Sequence, residues 1–131
     1  MWVRSWAPPP LCASVSFDAT EAAARFSTRL IEFEICYSAQ KAGDRDKLIG
    51  RLAKLFESLT PGPEVYDAAR SMQEALTAKG AHRCCSPIDL VLAATAHVED
   101  LTVLHVDKDY ETVARFWPSF RQVRLDTGQP L

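Results

Sequence analysis

One alternation restricts the fold of this chain more than any other feature: a short apolar run, Leu101-Thr102-Val103-Leu104-His105-Val106, between two helix-forming stretches. Thr102 to Val106 has the length and apolar character of a strand buried on both faces, as in a parallel sheet. Upstream, Ser86 precedes Pro87, the favoured first position of a helix, and the apolar stretch from Ile88 to Ala96 follows until Glu99-Asp100 ends it. Downstream, Asp109 to Phe116 is a short helix and Phe120 to Leu125 a closing strand. A strand–helix–strand ending of this kind needs a sheet to join, which predicts a small layered α/β domain.

Most of the remaining chain reads as helix. Asp44 to Leu59 places Leu48, Leu52, Leu55 and Leu59 on one face, and Thr60-Pro61-Gly62-Pro63 breaks it. Glu64 to Lys79 turns Val65, Ala68, Ala69, Met72 and Leu76 inward and stops at Gly80. Leu30 to Lys41 is a further helix, with Phe26-Ser27-Thr28 as a very short strand leading into it. Ala19 to Arg25 is alanine-rich and helix-prone, and Trp2 to Trp6 reads as the end of a helix stopped by Pro8-Pro9-Pro10. The expected organisation is a single domain over residues 1–131, large enough for a real core, with a frayed tail at 126–131.

Charge narrows the partners. Fifteen basic and 17 acidic side chains leave a formal charge of −2, which argues against a generic polyanion binder but permits a local basic patch. Arg115, Arg121 and Arg124, set among Phe116, Trp117 and Phe120, either meet RNA or an acidic peptide or form an ordinary charged rim around core aromatics. No apolar run approaches the roughly 20 residues that span a bilayer, and the proline run replaces the apolar stretch of a signal peptide, so no membrane and a cytoplasmic location are expected. Cys12, Cys36, Cys84 and Cys85 lack zinc spacing and paired histidines, which predicts reduced thiols. His82 and His97 read as surface residues, His105 and Cys84 have no dyad spacing, and the glycines form no phosphate-cradling loop.

The carboxylates carry the chemistry. Ser86-x-x-Asp89 is a capping box, in which both side chains satisfy free backbone donors. The same position suits a metal ligand, because a helix N-terminus stabilises an anion and a hard cation takes carboxylate oxygen. Asp107 follows the strand directly, at the sheet edge where ligands collect, or else caps the next helix. Asp109, two residues on, is the simpler candidate for that cap. Glu34, within Ile31-Glu32-Phe33-Glu34-Ile35, reads by itself as a solvated helix position.

Taken together, three segments carry a resemblance: Asp89-Leu90-Val91-Leu92-Ala93-Ala94-Thr95-Ala96, then Leu101-Thr102-Val103-Leu104-His105 with Asp107-Lys108-Asp109-Tyr110, and earlier Glu34-Ile35-Cys36-Tyr37-Ser38-Ala39. They resemble a PIN-domain ribonuclease of the VapC type, the toxin of a bacterial toxin–antitoxin pair. The resemblance spans roughly Phe26 to Leu125 and is most specific over its last forty residues. It implies an α/β fold, a PIN-like three-layer domain whose small parallel sheet is flanked by helices. It also implies an Mg²⁺- or Mn²⁺-dependent endoribonuclease that hydrolyses RNA phosphodiester bonds. Glu34, Asp89 and Asp107 would hold metal directly or through water, with Asp109 as an accessory catalytic carboxylate and Tyr110 in the family's aromatic place. A cognate VapB-type antitoxin and a homodimer follow from the same likeness.

The departure is at the front. The family opens with a strand ending in an aspartate, then a serine and a helix, whereas Trp2 to Pro8 looks like the tail of that helix. Asp18 does not replace the aspartate, since no strand-like run precedes it. On this reading the chain is N-terminally truncated and its first strand is missing from the middle of the sheet. Each backbone group left buried and unpaired costs about 1–3 kcal/mol against a total stability of about 5–15 kcal/mol. The alternatives are a truncated, catalytically inactive PIN-like module that only binds an antitoxin, and an all-helical interaction protein.

Overall fold

The structure, a computed structural model, describes residues 2–4 and 25–125. In chain order its elements are β1 (Trp2–Arg4), β2 (Arg25–Thr28), α1 (Arg29–Tyr37), α2 (Ala42–Leu55), β3 (Glu57–Leu59), α3 (Glu64–Ala78), α4 (Pro87–Val98), β4 (Leu101–His105), α5 (Lys108–Phe116) and β5 (Arg121–Arg124). The strands form one sheet in the order β3-β2-β1-β4-β5. This is an α/β fold with five helices among the described residues, and the sheet rules out the all-helical reading.

Strand direction sets where the site lies. β2 pairs in parallel with β3, and β4 with β5, while β1 is antiparallel to both β2 and β4. It follows that β2, β3, β4 and β5 all point one way and β1 alone is reversed. Their C-terminal ends share one edge, the edge at which open α/β sheets bind ligands. The central place expected to be vacant is held by Trp2–Arg4, with Trp2 opposite both Phe26 and Val103. That segment is therefore a strand and not a helix end, and its pairing on both sides satisfies backbone groups of β2 and β4 that would otherwise be orphaned. The family's aspartate-ending first strand is absent from the described residues.

The core is built around α4. Leu90, Leu92, Ala93, Ala94, Thr95 and Ala96 are all buried, so this helix has protein on almost every side. It packs against α3, whose Val65, Ala69, Met72 and Leu76 are the buried positions, and against β4, whose Leu101, Thr102 and Val103 are buried. Sequence periodicity identified the α3 face correctly, with Ala68 half-buried beside it. α3 ends as Gly80 predicts. Gly80 adopts φ 67°, its N–H bonds Thr77 O at 2.9 Å, and the Ala81 N–H reaches back to Leu76 O at 2.8 Å. That pair of bonds is a Schellman motif, which needs the left-handed residue that glycine supplies without a Cβ penalty.

Two elements differ from expectation. The helix expected to run to Leu59 stops at Leu55, and Glu57–Leu59 becomes β3. Pairing with β2, with Ser27 opposite Ser58 and Thr28 opposite Leu59, outweighs a continuing helical period. Leu48 and Leu52 are accordingly half-buried, whereas Leu55 is exposed. α1 ends at Tyr37, short of Lys41, where Ser38 caps it. Ala19 to Ala24, Pro8-Pro9-Pro10, Asp18 and the tail 126–131 lie outside the described residues.

Two of the three arginines in the C-terminal cluster pair with acidic neighbours. Arg121 Nη2 bonds Asp100 Oδ1 at 2.8 Å and also the Asp100 carbonyl, and Arg124 Nη1 meets Glu111 Oε2 at 3.2 Å. Asp100 stands at the α4–β4 turn with φ 55°, a left-handed conformation that aspartate tolerates better than most residues. Replacing it with alanine removes the carboxylate partner of Arg121 and its local polar compensation together. We expect Asp100→Ala to cost about 1–2 kcal/mol, and Asp100→Asn less, read from urea unfolding midpoints. An unchanged midpoint for the alanine variant contradicts this account of the turn.

Candidate active site at the acidic sheet edge

Asp89 occupies the first turn of α4, and its side chain is held from two directions. Ser86 is the N-cap, with Oγ accepting from the Asp89 N–H at 3.1 Å. Asp89 Oδ2 accepts in return from the Ser86 N–H at 3.2 Å and from the Ser86 hydroxyl at 2.6 Å. The capping box read from sequence is therefore present. From the other side, the Tyr110 hydroxyl donates to Asp89 Oδ1 at 2.9 Å.

Asp107 follows β4 and is the N-cap of α5, with Oδ1 accepting from the Asp109 N–H at 3.0 Å. The cap is thus Asp107, and Asp109 lies in the first turn behind it, reversing the simpler assignment. Burial, then the charges of Asp107 and Asp89, push the Asp109 carboxyl above its ordinary value. Asp109 is thus close enough to feel both of the other carboxylates. Glu34 approaches from α1, exposed, and its charge is felt at Tyr110.

Tyr110 sits at the centre of this arrangement. It is buried, its ring lies 5.1 Å from that of His105 and 6.3 Å from that of Phe120, and Phe120 is itself buried. His105 is fixed in turn, since Nε2 lies 2.6 Å from Gln122 Oε1 on β5. Burial foremost, with the Asp89 charge next, pushes the Tyr110 phenol far above its usual range and keeps it a donor. Sequence reading gave Tyr110 only a place in a motif. The signal available was its tyrosine hydroxyl, in a place that asks only for an aromatic ring.

A second feature was missed as well. A cavity of about 510 Å³ opens beside Glu34, lined by Phe33, Glu34, Tyr37 and Ile88. Phe33 is 61% and Tyr37 93% exposed, large apolar surfaces for a helix to present to water. Their spacing, four residues apart on α1 and bracketing Glu34, was visible in the sequence but reads equally as a buried stripe.

The donor set suits a hard divalent cation in kind. Carboxylate oxygens are what Mg²⁺ and Mn²⁺ take, and a cation would relieve the mutual repulsion felt at Asp109. Among the described residues no three His, Cys, Asp or Glu side chains converge into one ligand group. Mg²⁺ does not need three, because it keeps several waters and is held by one or two carboxylates. Cys36, Cys84 and Cys85 are free, and burial, followed by the neighbouring Cys84, pushes the Cys85 thiol up to about 12. In the folded chain at pH 8, iodoacetamide should therefore label Cys85 far more slowly than after unfolding in urea, as followed by peptide mass spectrometry. Equal rates in both states would contradict the half-buried, protonated thiol.

Comparison with known proteins places the chain in a family. Residues 12–116 match the family model described as PIN domain. The chain is 32% identical over 92 residues to Ribonuclease VapC6 of Mycobacterium tuberculosis (strain ATCC 25618 / H37Rv), covering 70% of this chain and 72% of that one. It is 33% identical over 100 residues to Ribonuclease VapC17 of the same strain, covering 75% and 74%. Ribonuclease VapC2 of Mycobacterium tuberculosis (strain CDC 1551 / Oshkosh) is 48% identical over 52 residues, which span 40% of this chain and 37% of VapC2. With the family model matching most of its length, and with VapC-type relatives over 30% identical across about three quarters of both chains, this chain belongs to the PIN-domain family, among its VapC-type members.

Proposed function

We propose that this chain is an endoribonuclease toxin of a type II toxin–antitoxin system, hydrolysing RNA phosphodiester bonds with Mg²⁺ or Mn²⁺. The observation that carries the reading is the Tyr110 hydroxyl on Asp89 Oδ1, which ties the first turn of α4 to α5, the helix that Asp107 caps at the end of β4. Asp89 and Asp107 would hold the cation, directly or through water, with Glu34 completing the outer set from α1 and Asp109 as the accessory carboxylate. When bound, the cation supplies an activated water and stabilises charge developing on the attacked phosphate. The chain's own residues do the positioning. The α4 N-terminus and Ser86 orient Asp89, and the β4–α5 junction orients Asp107. The exposed Phe33 and Tyr37 offer apolar surface beside Glu34.

The resemblance to VapC-type toxins extends the proposal to a VapB-type antitoxin that neutralises the site, and to a homodimer acting in the cytoplasm. No helix among the described residues is long and apolar enough to cross a membrane. A second reading also has an observation behind it. β1 is reversed at the centre of the sheet, and among the described residues no three ligating side chains converge. A PIN-like module that binds an antitoxin without cleaving RNA fits those two facts.

Cleavage of total RNA by the purified chain with Mn²⁺ or Mg²⁺, beside EDTA and Asp89→Asn controls, separates the two. The nuclease reading expects cleavage that EDTA abolishes. Loss of an outer-shell partner alone costs about 10–100-fold at a metal site, so loss of a ligand in Asp89→Asn should cost about 100-fold or more. No cleavage by the folded chain, with an antitoxin peptide still bound, establishes the binding module instead.

A further inference from the structure

Asp89 is more constrained than capping alone requires. A carboxylate offers about four acceptor positions, two on each oxygen. The Ser86 N–H and the Ser86 hydroxyl occupy both positions on Oδ2, and the Tyr110 hydroxyl occupies one on Oδ1. The position left open is on Oδ1, the oxygen that Tyr110 holds. Without the tyrosine, Ser86 fixes one oxygen and the carboxylate pivots about it.

The tyrosine is itself held from behind. Its ring leans on His105 at 5.1 Å, and His105 is tied to Gln122 of β5 by a 2.6 Å contact at Nε2. The ring of Phe120 lies 6.3 Å away. α5 and α4 thus meet at one oxygen atom, with His105 of β4 and Gln122 of β5 behind the tyrosine ring. A phenylalanine in this place fills the same volume and makes the same ring contacts, so packing does not account for the hydroxyl.

We propose that Tyr110 is a positioning residue for the proposed reaction, aiming the free acceptor position of Asp89 Oδ1 at the cation. The proposal rests on the metal-dependent reading above and adds a residue to it. Outer partners that orient a ligand typically contribute about 10–100-fold in metal affinity.

The test is Mn²⁺ binding to the full chain, followed by the electron paramagnetic resonance signal of free Mn²⁺, for the parent, Tyr110→Phe and Asp89→Asn. Thermal unfolding midpoints are measured on the same samples without metal. The expected result is an affinity about 10-fold weaker in Tyr110→Phe, in the folded state, and weaker still in Asp89→Asn. If Tyr110→Phe lowers the midpoint yet binds Mn²⁺ as tightly as the parent, the hydroxyl only ties α5 to α4 and the proposal is overturned. If the parent binds no Mn²⁺, the metal-dependent reading fails and the positioning role fails with it. Should Tyr110→Phe not fold, Gln122→Leu replaces it. That variant frees His105 behind the tyrosine ring, and unaltered Mn²⁺ affinity there also overturns the proposal.

Discussion

α4 can be surrounded by protein only because it carries Ala93, Ala94, Thr95 and Ala96 where longer side chains would hold its neighbours apart. Those four residues are fully buried, between α3 and β4. Interiors are packed to crystal-like density, so an extra methylene at such a position has nowhere to go. The alanine run that marks the family in sequence is thus a packing requirement. Its consequence is functional: a rigidly seated helix presents Asp89 at a fixed height on the sheet edge.

The acidic residues serve the fold and the site with the same atoms. Asp89 closes a capping box and Asp107 caps α5, so each satisfies backbone donors that would otherwise face no partner. Capping and ligation are often weighed as competing explanations. Here the cap holds each carboxylate in place, and an oriented carboxylate is what a cation site requires. A cost appears at Asp109, where burial first and then the nearby like charges disfavour the ionised form.

Strand direction decides which residues share that edge. Because β2, β3, β4 and β5 run together, the end of β4 brings Asp107, and the end of β2 launches α1, which carries Glu34. Thr28 makes the turn from strand to helix, buried and accepting from the Ile31 N–H at 3.4 Å. The reversed β1 completes the hydrogen-bonding ladder at the centre without adding a carboxylate among the described residues.

Much of this was legible locally. The helix of Ser86 to Ala96, its capping box, the strand before Asp107 and the inward face of Val65, Ala69, Met72 and Leu76 follow from spacing and end chemistry, which short-range sterics and hydrogen bonding set. Leu59 was misread because helical period and strand pairing favour different structures there, and only β2 as a neighbour settles the contest. Trp2–Arg4 was misread for the same reason, since three residues carry too little period to reveal a strand. The Asp109 neighbourhood, the Tyr110 hydroxyl on Asp89 and the exposed faces of Phe33 and Tyr37 depend on contacts between residues distant in the chain. The sequence by itself determined which residues begin, end and fill most of the elements, because those choices are made within a few residues. Which strands lie side by side, and which oxygen of Asp89 is left open, only the tertiary structure decided, because those depend on where distant segments come to rest.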